Sequence, residues 1–280
     1  MPEAAHKKAF QTSDGCALAY TLGAARKPGA PRMVLIHSLA LDAGVWDGVT
    51  ARLAGQAEIL TYDCRGHGQS GRKAGAFTTE LFARDLAALL DHAGWQTAVV
   101  AGCSMGGCVA QAFAGLYPAR VKGLGLIDTT AWYGEDAPKQ FRERAAAARS
   151  KGLAGLIDFQ VTRWFSDAFR TTHPEVVDRW KQAFLANDLE CYAASCIMLG
   201  EADLRPCLPK LCMPVSIIVG QEDYATPVAA SRQLHQAITG STLTILPGAR
   251  HLTPVECAEQ VASQLAALAE RVERNGSTPI

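Results

Sequence analysis

The sequence predicts an α/β protein with a mostly parallel sheet of about eight strands, flanked by helices and carrying a helical insertion. Short runs rich in Val, Ile and Leu alternate with longer amphipathic stretches, which is typical of β-α-β units. In the second half of the chain this alternation stops for a purely helical stretch and then resumes. A chain of 280 residues is long enough for one large domain with such an insertion.

The predicted sheet begins with a hairpin. Segments around Phe10–Ser13 and Ala17–Leu22 flank Asp14-Gly15, a strong turn signal, so these two strands are expected to be antiparallel. The other predicted strands follow in chain order at Met33–His37, Glu58–Asp63, Thr97–Cys103, Val121–Asp128, Pro214–Gly220 and Thr242–Leu246.

Amphipathic periodicity predicts two groups of helices. Those between the strands are expected at Val45–Gly55, Thr78–Ala93, Met105–Tyr117, Val228–Thr239 and Pro254–Val272. Four more are expected in the insertion, at Ala137–Ser150, Leu153–Phe165, Pro174–Ala186 and Leu189–Leu199. We interpret residues 131–208 as a helical cap on a core formed by residues 1–130 and 209–280. The cap is rich in aromatic residues, some of which are expected to line a pocket.

The charge balance favours a small-molecule substrate. Lys plus Arg equals Asp plus Glu at 27 each, so no excess charge is available to bind a nucleic acid or an anionic membrane. The apolar runs stay well below the roughly 20 residues of a membrane helix, and the N-terminal stretch shows no secretory signal. We therefore expect a cytoplasmic enzyme with neither a nucleic-acid nor a membrane partner. The oligomeric state is left open, a homo-oligomer included.

Nine cysteines are scattered without the paired spacing of a zinc site. We expect them to be buried, unreactive thiols, and we expect no metal.

One motif predicts a nucleophile. Gly102-Cys103-Ser104-Met105-Gly106-Gly107 matches G-x-S-x-G between a buried strand and a helix, which is where this sharp turn exposes a catalytic serine. A Cβ at Gly102 or Gly106 is expected to clash with neighbouring elements. The helix N-terminus favours developing negative charge, and the Met105 amide is placed to donate to an oxyanion. The pattern thus indicates Ser104 as the nucleophile.

A serine nucleophile needs a base and an acid later in the chain, in the order Ser, Asp, His. His251 follows the last strand and is selected as the base because of that position. Asp223 follows the preceding strand and is selected as the acid. Asp128, at the end of an earlier strand, is a rival for that role, and Glu222 is a weaker one.

The loop His37-Ser38-Leu39-Ala40 closes the first parallel strand, where the second oxyanion donor is expected. We assign that donor to the Leu39 amide. We favour a structural imidazole at His37 that fixes the loop, over a direct chemical role.

A second glycine pattern resembles that of a different kind of binding site. Gly66, Gly68 and Gly71 spell G-x-G-x-x-G, which occurs in dinucleotide-binding turns. Such a turn opens a helix at once, whereas here the next helix begins near Thr78, so we reject a dinucleotide site.

With these residues the chain resembles an α/β-hydrolase, and within that superfamily it most resembles the 3-oxoadipate enol-lactonases. The supporting stretches are Tyr62 to Ser70, Gly102 to Gly107, Arg163 to Phe169, and His173 to Val177. This resemblance implies a small anionic lactone as substrate and no cofactor. Those enzymes usually carry Asn-Ser-Leu-Gly where this chain has the loop that begins at His37.

The predicted mechanism follows from these assignments. Ser104 attacks the lactone carbonyl while His251 takes its proton, Asp223 stabilises the imidazolium, and two amides hold the oxyanion without a metal. A carboxylesterase, a thioesterase and a carbon–carbon hydrolase of aromatic degradation would use the same triad. A hydrolase-fold ligand receptor is an alternative of a different class.

Trp164 and Arg163, in the enol-lactonase-like part of the cap, are the predicted substrate-binding residues. Arg163 would give a substrate carboxylate a counter-charge in an apolar pocket. The alternative is that Arg163 faces solvent and pairs with Asp167 at helical spacing.

Overall fold

The computed structural model describes residues 7–73 and 75–276. Its sheet has eight strands: β1 (Lys8–Gln11), β2 (Ala17–Gly23), β3 (Arg32–Ile36), β4 (Glu58–Tyr62), β5 (Ala98–Cys103), β6 (Val121–Ile127), β7 (Val215–Gly220) and β8 (Thr242–Leu246). Their order in the sheet is β1-β2-β4-β3-β5-β6-β7-β8. The hairpin β1-β2 and the β2-β4 pair are antiparallel and every later pair is parallel, so the predicted fold class is confirmed.

The central strands are buried because helices cover both faces of the sheet. β5 and β7 are buried along their whole length, which explains why their sequences are almost entirely apolar rather than alternating. Their carboxyl ends, together with those of β3 and β8, meet at one edge of the sheet. This edge is where the candidate site lies.

Eleven α-helices are found within residues 7–73 and 75–276. Six flank the sheet: α1 (Asp47–Leu53), α2 (Thr79–His92), α3 (Met105–Leu116), α9 (Val228–Ala237), α10 (Thr253–Glu256) and α11 (Ala258–Gly276). Five lie between β6 and β7: α4 (Ala137–Lys151), α5 (Ile157–Trp164), α6 (Asp167–Thr172), α7 (Pro174–Leu185) and α8 (Leu189–Glu201). Short 3-10 helices precede α1 and α5, at Ala43–Trp46 and Leu153–Leu156.

Two helix predictions were wrong in detail. The predicted C-terminal helix is divided into α10 and α11 at Cys257, whose φ of −130° and ψ of 43° are not helical. The predicted insertion also lacked α6, which begins where the Ser166 hydroxyl accepts a hydrogen bond from the Phe169 amide. At the start of α6 the Ser166 hydroxyl also donates to the Glu256 carboxylate, and such a contact between distant segments leaves no periodicity in the sequence.

The inserted helices α4 and α8 lie side by side. Gly200 permits this approach because a Cβ there would lie 2.8 Å from the Cβ of Phe141. No helix of the described ranges is both long enough and apolar enough to cross a membrane.

The cysteine prediction holds for six thiols, which are buried: Cys16, Cys64, Cys103, Cys108, Cys191 and Cys196. It was wrong for Cys212, which is exposed, and Cys207 and Cys257 are half-buried.

Candidate active site

The strand β5 and the helix α3 meet at Ser104 in a strained turn. Ser104 has φ of 55° and ψ of −115°, a conformation that costs energy for any residue with a Cβ. A Cβ at Gly102 would lie 2.0 Å from the Gly106 carbonyl oxygen, and one at Gly106 would lie 2.2 Å from that of Ile36. These distances confirm the predicted need for glycine. The turn projects the serine hydroxyl from the edge of the sheet into a cavity.

Ser104, His251 and Asp223 form one hydrogen-bonded chain. The Nε2 of His251 lies 2.8 Å from the Ser104 Oγ, and its Nδ1 lies 2.8 Å from the Asp223 Oδ2. Because a carboxylate can only accept, Nδ1 carries the proton and Nε2 is free to accept from the serine. The structure therefore brings together the three residues that the sequence selected.

The Asp223 carboxylate is fixed by its own loop. Its Oδ1 accepts hydrogen bonds from the amides of Ala225 (2.7 Å) and Thr226 (3.0 Å), and its Oδ2 accepts from the Thr226 hydroxyl (2.8 Å). Burial opposes ionisation, but the electrostatic interaction and hydrogen bond with His251, together with the bonds from Thr226, hold the pKa of Asp223 below its ordinary value. Asp223 is thus an anion that orients the imidazole. No motif or periodicity in the sequence points to Thr226.

The two rival acids lie elsewhere. Asp128 is buried and its carboxylate accepts from the Gly220 amide and from the amide and hydroxyl of Thr253, so its hydrogen bonds do not involve the imidazole. Glu222 is exposed, and its carboxylate lies 3.6 Å from the Arg250 guanidinium.

Two amides are available beside the serine. The Leu39 amide donates no hydrogen bond within the part of the chain that the structure describes. Met105 is the first residue of α3, so its amide is one of the unpaired donors of a helix start. Ser38 and Leu39 line the cavity together with Ser104.

His37 fixes this loop from behind. Its Nδ1 donates to the Ser38 carbonyl (2.7 Å), and its Nε2 accepts from the Cys64 amide (2.8 Å). Burial lowers the pKa of the imidazole, and these two bonds require its neutral form. Since both ring nitrogens are engaged, the geometry agrees with the structural role favoured above.

The cavity extends from the serine into the inserted helices. Its lining combines both sides of the site: Ser38, Leu39, Ser104, Tyr133, Phe141, Arg144, Gln160, Arg163, Trp164, Leu199, Ala225, Thr226 and His251. The predicted substrate-binding pair, Arg163 and Trp164, is therefore part of the same cavity as Ser104.

Arg163 does not pair with Asp167 as the alternative proposed. The Asp167 carboxylate pairs with Arg170 and Arg250 instead. The Arg163 guanidinium lies over the Phe159 ring, 5.4 Å from its centroid. Burial, followed by the charge of Arg144, lowers the pKa of Arg163.

Arg144, on α4, is a cavity residue that the sequence did not reveal. Its Nε donates to the Tyr192 hydroxyl (2.7 Å), and its guanidinium lies 5.6 Å from the centroid of that ring. Among the described residues no carboxylate lies within 4.0 Å of the Arg144 or the Arg163 guanidinium. The cavity therefore contains two cations and no acid paired with either. The sequence of α4 contains several arginines, and nothing in their spacing distinguishes this one.

Known proteins resemble this chain in sequence and in structure. Residues 31–256 match the family described as the α/β hydrolase fold. The 3-oxoadipate enol-lactonase 2 of Acinetobacter baylyi is 33% identical over 252 residues, which cover 90% of this chain and 92% of that protein.

Two solved structures are similar along almost the whole chain. The enol-lactonase from Burkholderia xenovorans LB400 has a TM-score of 0.89 and 31% identity, covering 94% of this chain and 100% of that one. A thermophilic esterase from Thermogutta terrifontis, solved with malate bound, has a TM-score of 0.88 and 29% identity, covering 96% and 99%. The family match, these relatives and the strained serine turn lead to one conclusion: the chain belongs to the α/β-hydrolase fold family and is a hydrolase.

Proposed function

We propose that this protein hydrolyses a small anionic lactone or ester through an acyl-enzyme on Ser104, with 3-oxoadipate enol-lactone or a close analogue as substrate. The observation that carries the proposal is the presence of Arg144 and Arg163, neither paired with a carboxylate, in the same cavity as the serine. The triad supplies the chemistry, and the two cations select the substrate.

The arginines favour an anion for an electrostatic reason. A buried charge without a counter-charge loses hydration that no opposite charge replaces. A substrate carboxylate would supply the missing partner, and guanidinium groups bind carboxylates well because their donors form a planar fork. The mutual repulsion of the two cations would also decrease when an anion binds between them.

Acylation begins when Ser104 Oγ attacks the lactone carbonyl carbon while His251 Nε2 takes the hydroxyl proton. The carbonyl oxygen becomes an oxyanion, which the Leu39 and Met105 amides bind. The tetrahedral intermediate collapses by breaking the ring C–O bond, and His251 returns its proton to the departing enolate oxygen. Asp223 stabilises the transient imidazolium.

Deacylation repeats these steps with water. His251 takes a proton from the water, the resulting hydroxide attacks the acyl carbon, and the ester bond to Ser104 breaks with return of the proton to the serine. The products are a carboxylate and an enol, and the enol relaxes to a ketone. This last step makes ring opening favourable.

The relatives support the substrate class. Two curated relatives and one solved structure carry the name enol-lactonase, and a structural neighbour holds malate, a dicarboxylate. A neutral ester, a thioester and a carbon–carbon bond remain competing substrates for the same triad.

A substrate panel tests the proposal. We would measure kcat and KM for 3-oxoadipate enol-lactone, a neutral lactone of similar size, a nitrophenyl ester, a thioester and a dienone. We expect the anionic lactone to have the highest kcat/KM. Arg144→Gln and Arg163→Gln should each raise KM for it by about 10- to 100-fold, as expected for loss of a charged hydrogen bond, and leave the neutral lactone nearly unchanged.

Arg142→Gln is the matched control. Arg142 lies on the same helix as Arg144, but it is exposed and pairs with Glu201. Equal effects of the cavity variants on the neutral and anionic lactones would contradict the proposed selection. A protein that binds the lactone without turnover would be a receptor.

A further inference from the structure

The segment that carries Arg163 and the loop that carries His251 are joined by main-chain hydrogen bonds. The His251 amide donates to the Arg163 carbonyl (3.4 Å), and the Leu252 amide donates to the Trp164 carbonyl (3.0 Å). The main chain at His251 is therefore hydrogen-bonded to the end of α5, although the two segments are far apart in the sequence. A shift of either would displace the other.

The Glu256 carboxylate is hydrogen-bonded to both of these segments. One of its oxygens accepts from the Arg250 amide (3.0 Å), directly before His251. Its carboxylate also accepts from the Ser166 amide (3.3 and 3.4 Å) and from the Ser166 hydroxyl. One half-buried anion thus binds donors on both sides of the junction.

The Arg250 side chain adds to the same junction. Its Nη1 donates to the carbonyls of Thr162 (2.9 Å) and Phe165 (3.1 Å), and it also pairs with Asp167 (2.9 Å). Charged hydrogen bonds are stronger than neutral ones, so a carboxylate and a guanidinium together hold the two segments firmly.

We infer that Glu256 is a positioning residue that, through Ser166 and the Arg250 amide, sets the position of His251 against Ser104 and of Arg163 against the substrate. Glu256 makes no hydrogen bond to Ser104, His251 or Asp223, so it acts through the main chain that it holds. The part of this inference that concerns Arg163 rests on the proposed function, and the part that concerns His251 does not.

The test compares Glu256→Gln and Ser166→Ala with the unmodified protein. A neutral fluorophosphonate reacts with Ser104 only as fast as His251 removes the hydroxyl proton, and it needs no anion-binding group. We expect both variants to be labelled about 10- to 100-fold more slowly, because a misplacement of about 1 Å has that effect on catalysis. Ser166→Thr keeps the hydroxyl and should restore most of the rate.

A split between kcat and KM should accompany this loss. In Glu256→Gln, kcat should fall for both a neutral ester and the anionic lactone, whereas KM should rise for the lactone alone. Glu259→Gln, at an exposed position three residues further along the chain, is the control and should change neither kcat nor KM.

A purely structural role for Glu256 would lower the melting temperature and leave the labelling rate of the folded protein at 25 °C unchanged, which would overturn the inference. If Glu256→Gln does not fold, the labelling rate of Ser166→Ala tests the inference instead, because that variant removes only the hydroxyl. Slow labelling without the KM split would refute the positioning of Arg163 and leave that of His251 supported, whereas the anion selection itself is tested separately by Arg163→Gln.

Discussion

The Asp128 carboxylate accepts hydrogen bonds from both the amide (2.9 Å) and the hydroxyl (2.7 Å) of Thr253, two residues beyond His251. Its other oxygen accepts from the Gly220 amide (3.1 Å) at the end of β7. Asp128 thus ties together the two loops that carry Asp223 and His251. It stabilises the two loops that carry these triad residues, and it does not occupy the position of the acid.

Replacement of the two aspartates should therefore have different consequences. Asp223→Asn should lower kcat by about 10⁴-fold, since an amide at this position favours the wrong imidazole tautomer. Asp128→Asn should lower kcat far less, but it should reduce the free energy of unfolding by about 1–3 kcal/mol because one buried donor loses its acceptor. Steady-state kinetics and urea unfolding of both variants measure the difference. Reversed results would assign the acid role to Asp128.

Ser104→Ala should remove essentially all turnover and leave the fold and ligand binding intact, because only the nucleophilic oxygen is lost. A fluorophosphonate should modify Ser104 alone, as identified by mass spectrometry of the labelled peptide. Labelling of another serine, or near-normal kcat in the alanine variant, would refute the assignment.

Gly106→Ala should destabilise the fold by more than about 4 kcal/mol, since the new Cβ would lie 2.2 Å from a main-chain oxygen that cannot move aside. The yield of folded protein and the urea midpoint measure this. Gly23→Ala is the control, because a Cβ at position 23 would lie 3.6 Å from the nearest atom. This variant should change the free energy of unfolding by less than about 1 kcal/mol. Similar stability of both variants would contradict the tight packing of the turn.

Stability should fall in acid partly through His67. This residue is buried, its Nδ1 donates to the Arg65 carbonyl (2.9 Å), and burial, followed by the electrostatic influence of His37, lowers its pKa to about 3 from an ordinary value near 6.5. Between these values the unfolded chain binds the extra proton and the folded protein does not. The free energy of unfolding is thus unaffected above pH 6.5 and decreases as the pH falls towards 3, by at most roughly 5 kcal/mol from this residue.

The measurement is the urea midpoint as a function of pH. His67→Asn retains a donor for the Arg65 carbonyl but cannot be protonated, so its stability should depend less on pH between 6.5 and 3. His235→Asn, at an exposed position, should keep the slope of the unmodified protein. An unchanged slope in His67→Asn would show that His67 does not titrate in this range.

The amino-acid pattern was sufficient to predict the sheet, the strained serine turn and the choice of Ser104, Asp223 and His251. It could do so because these features have local causes. Apolar runs produce buried strands, glycines permit the turn, and parallel strands bring their carboxyl ends to one edge, so residues that follow those strands must meet.

The side chains that complete the site are known only from the packing of the folded chain. Arg144, Thr226 and the pair Ser166–Glu256 come from helices and loops whose sequence patterns show only that one face is buried. The same holds for Arg163, whose spacing from Asp167 allowed a surface ion pair that Arg170 and Arg250 form instead. The choice among such partners depends on how the inserted helices pack against the loops of the core, and periodicity along the chain carries no information about that packing.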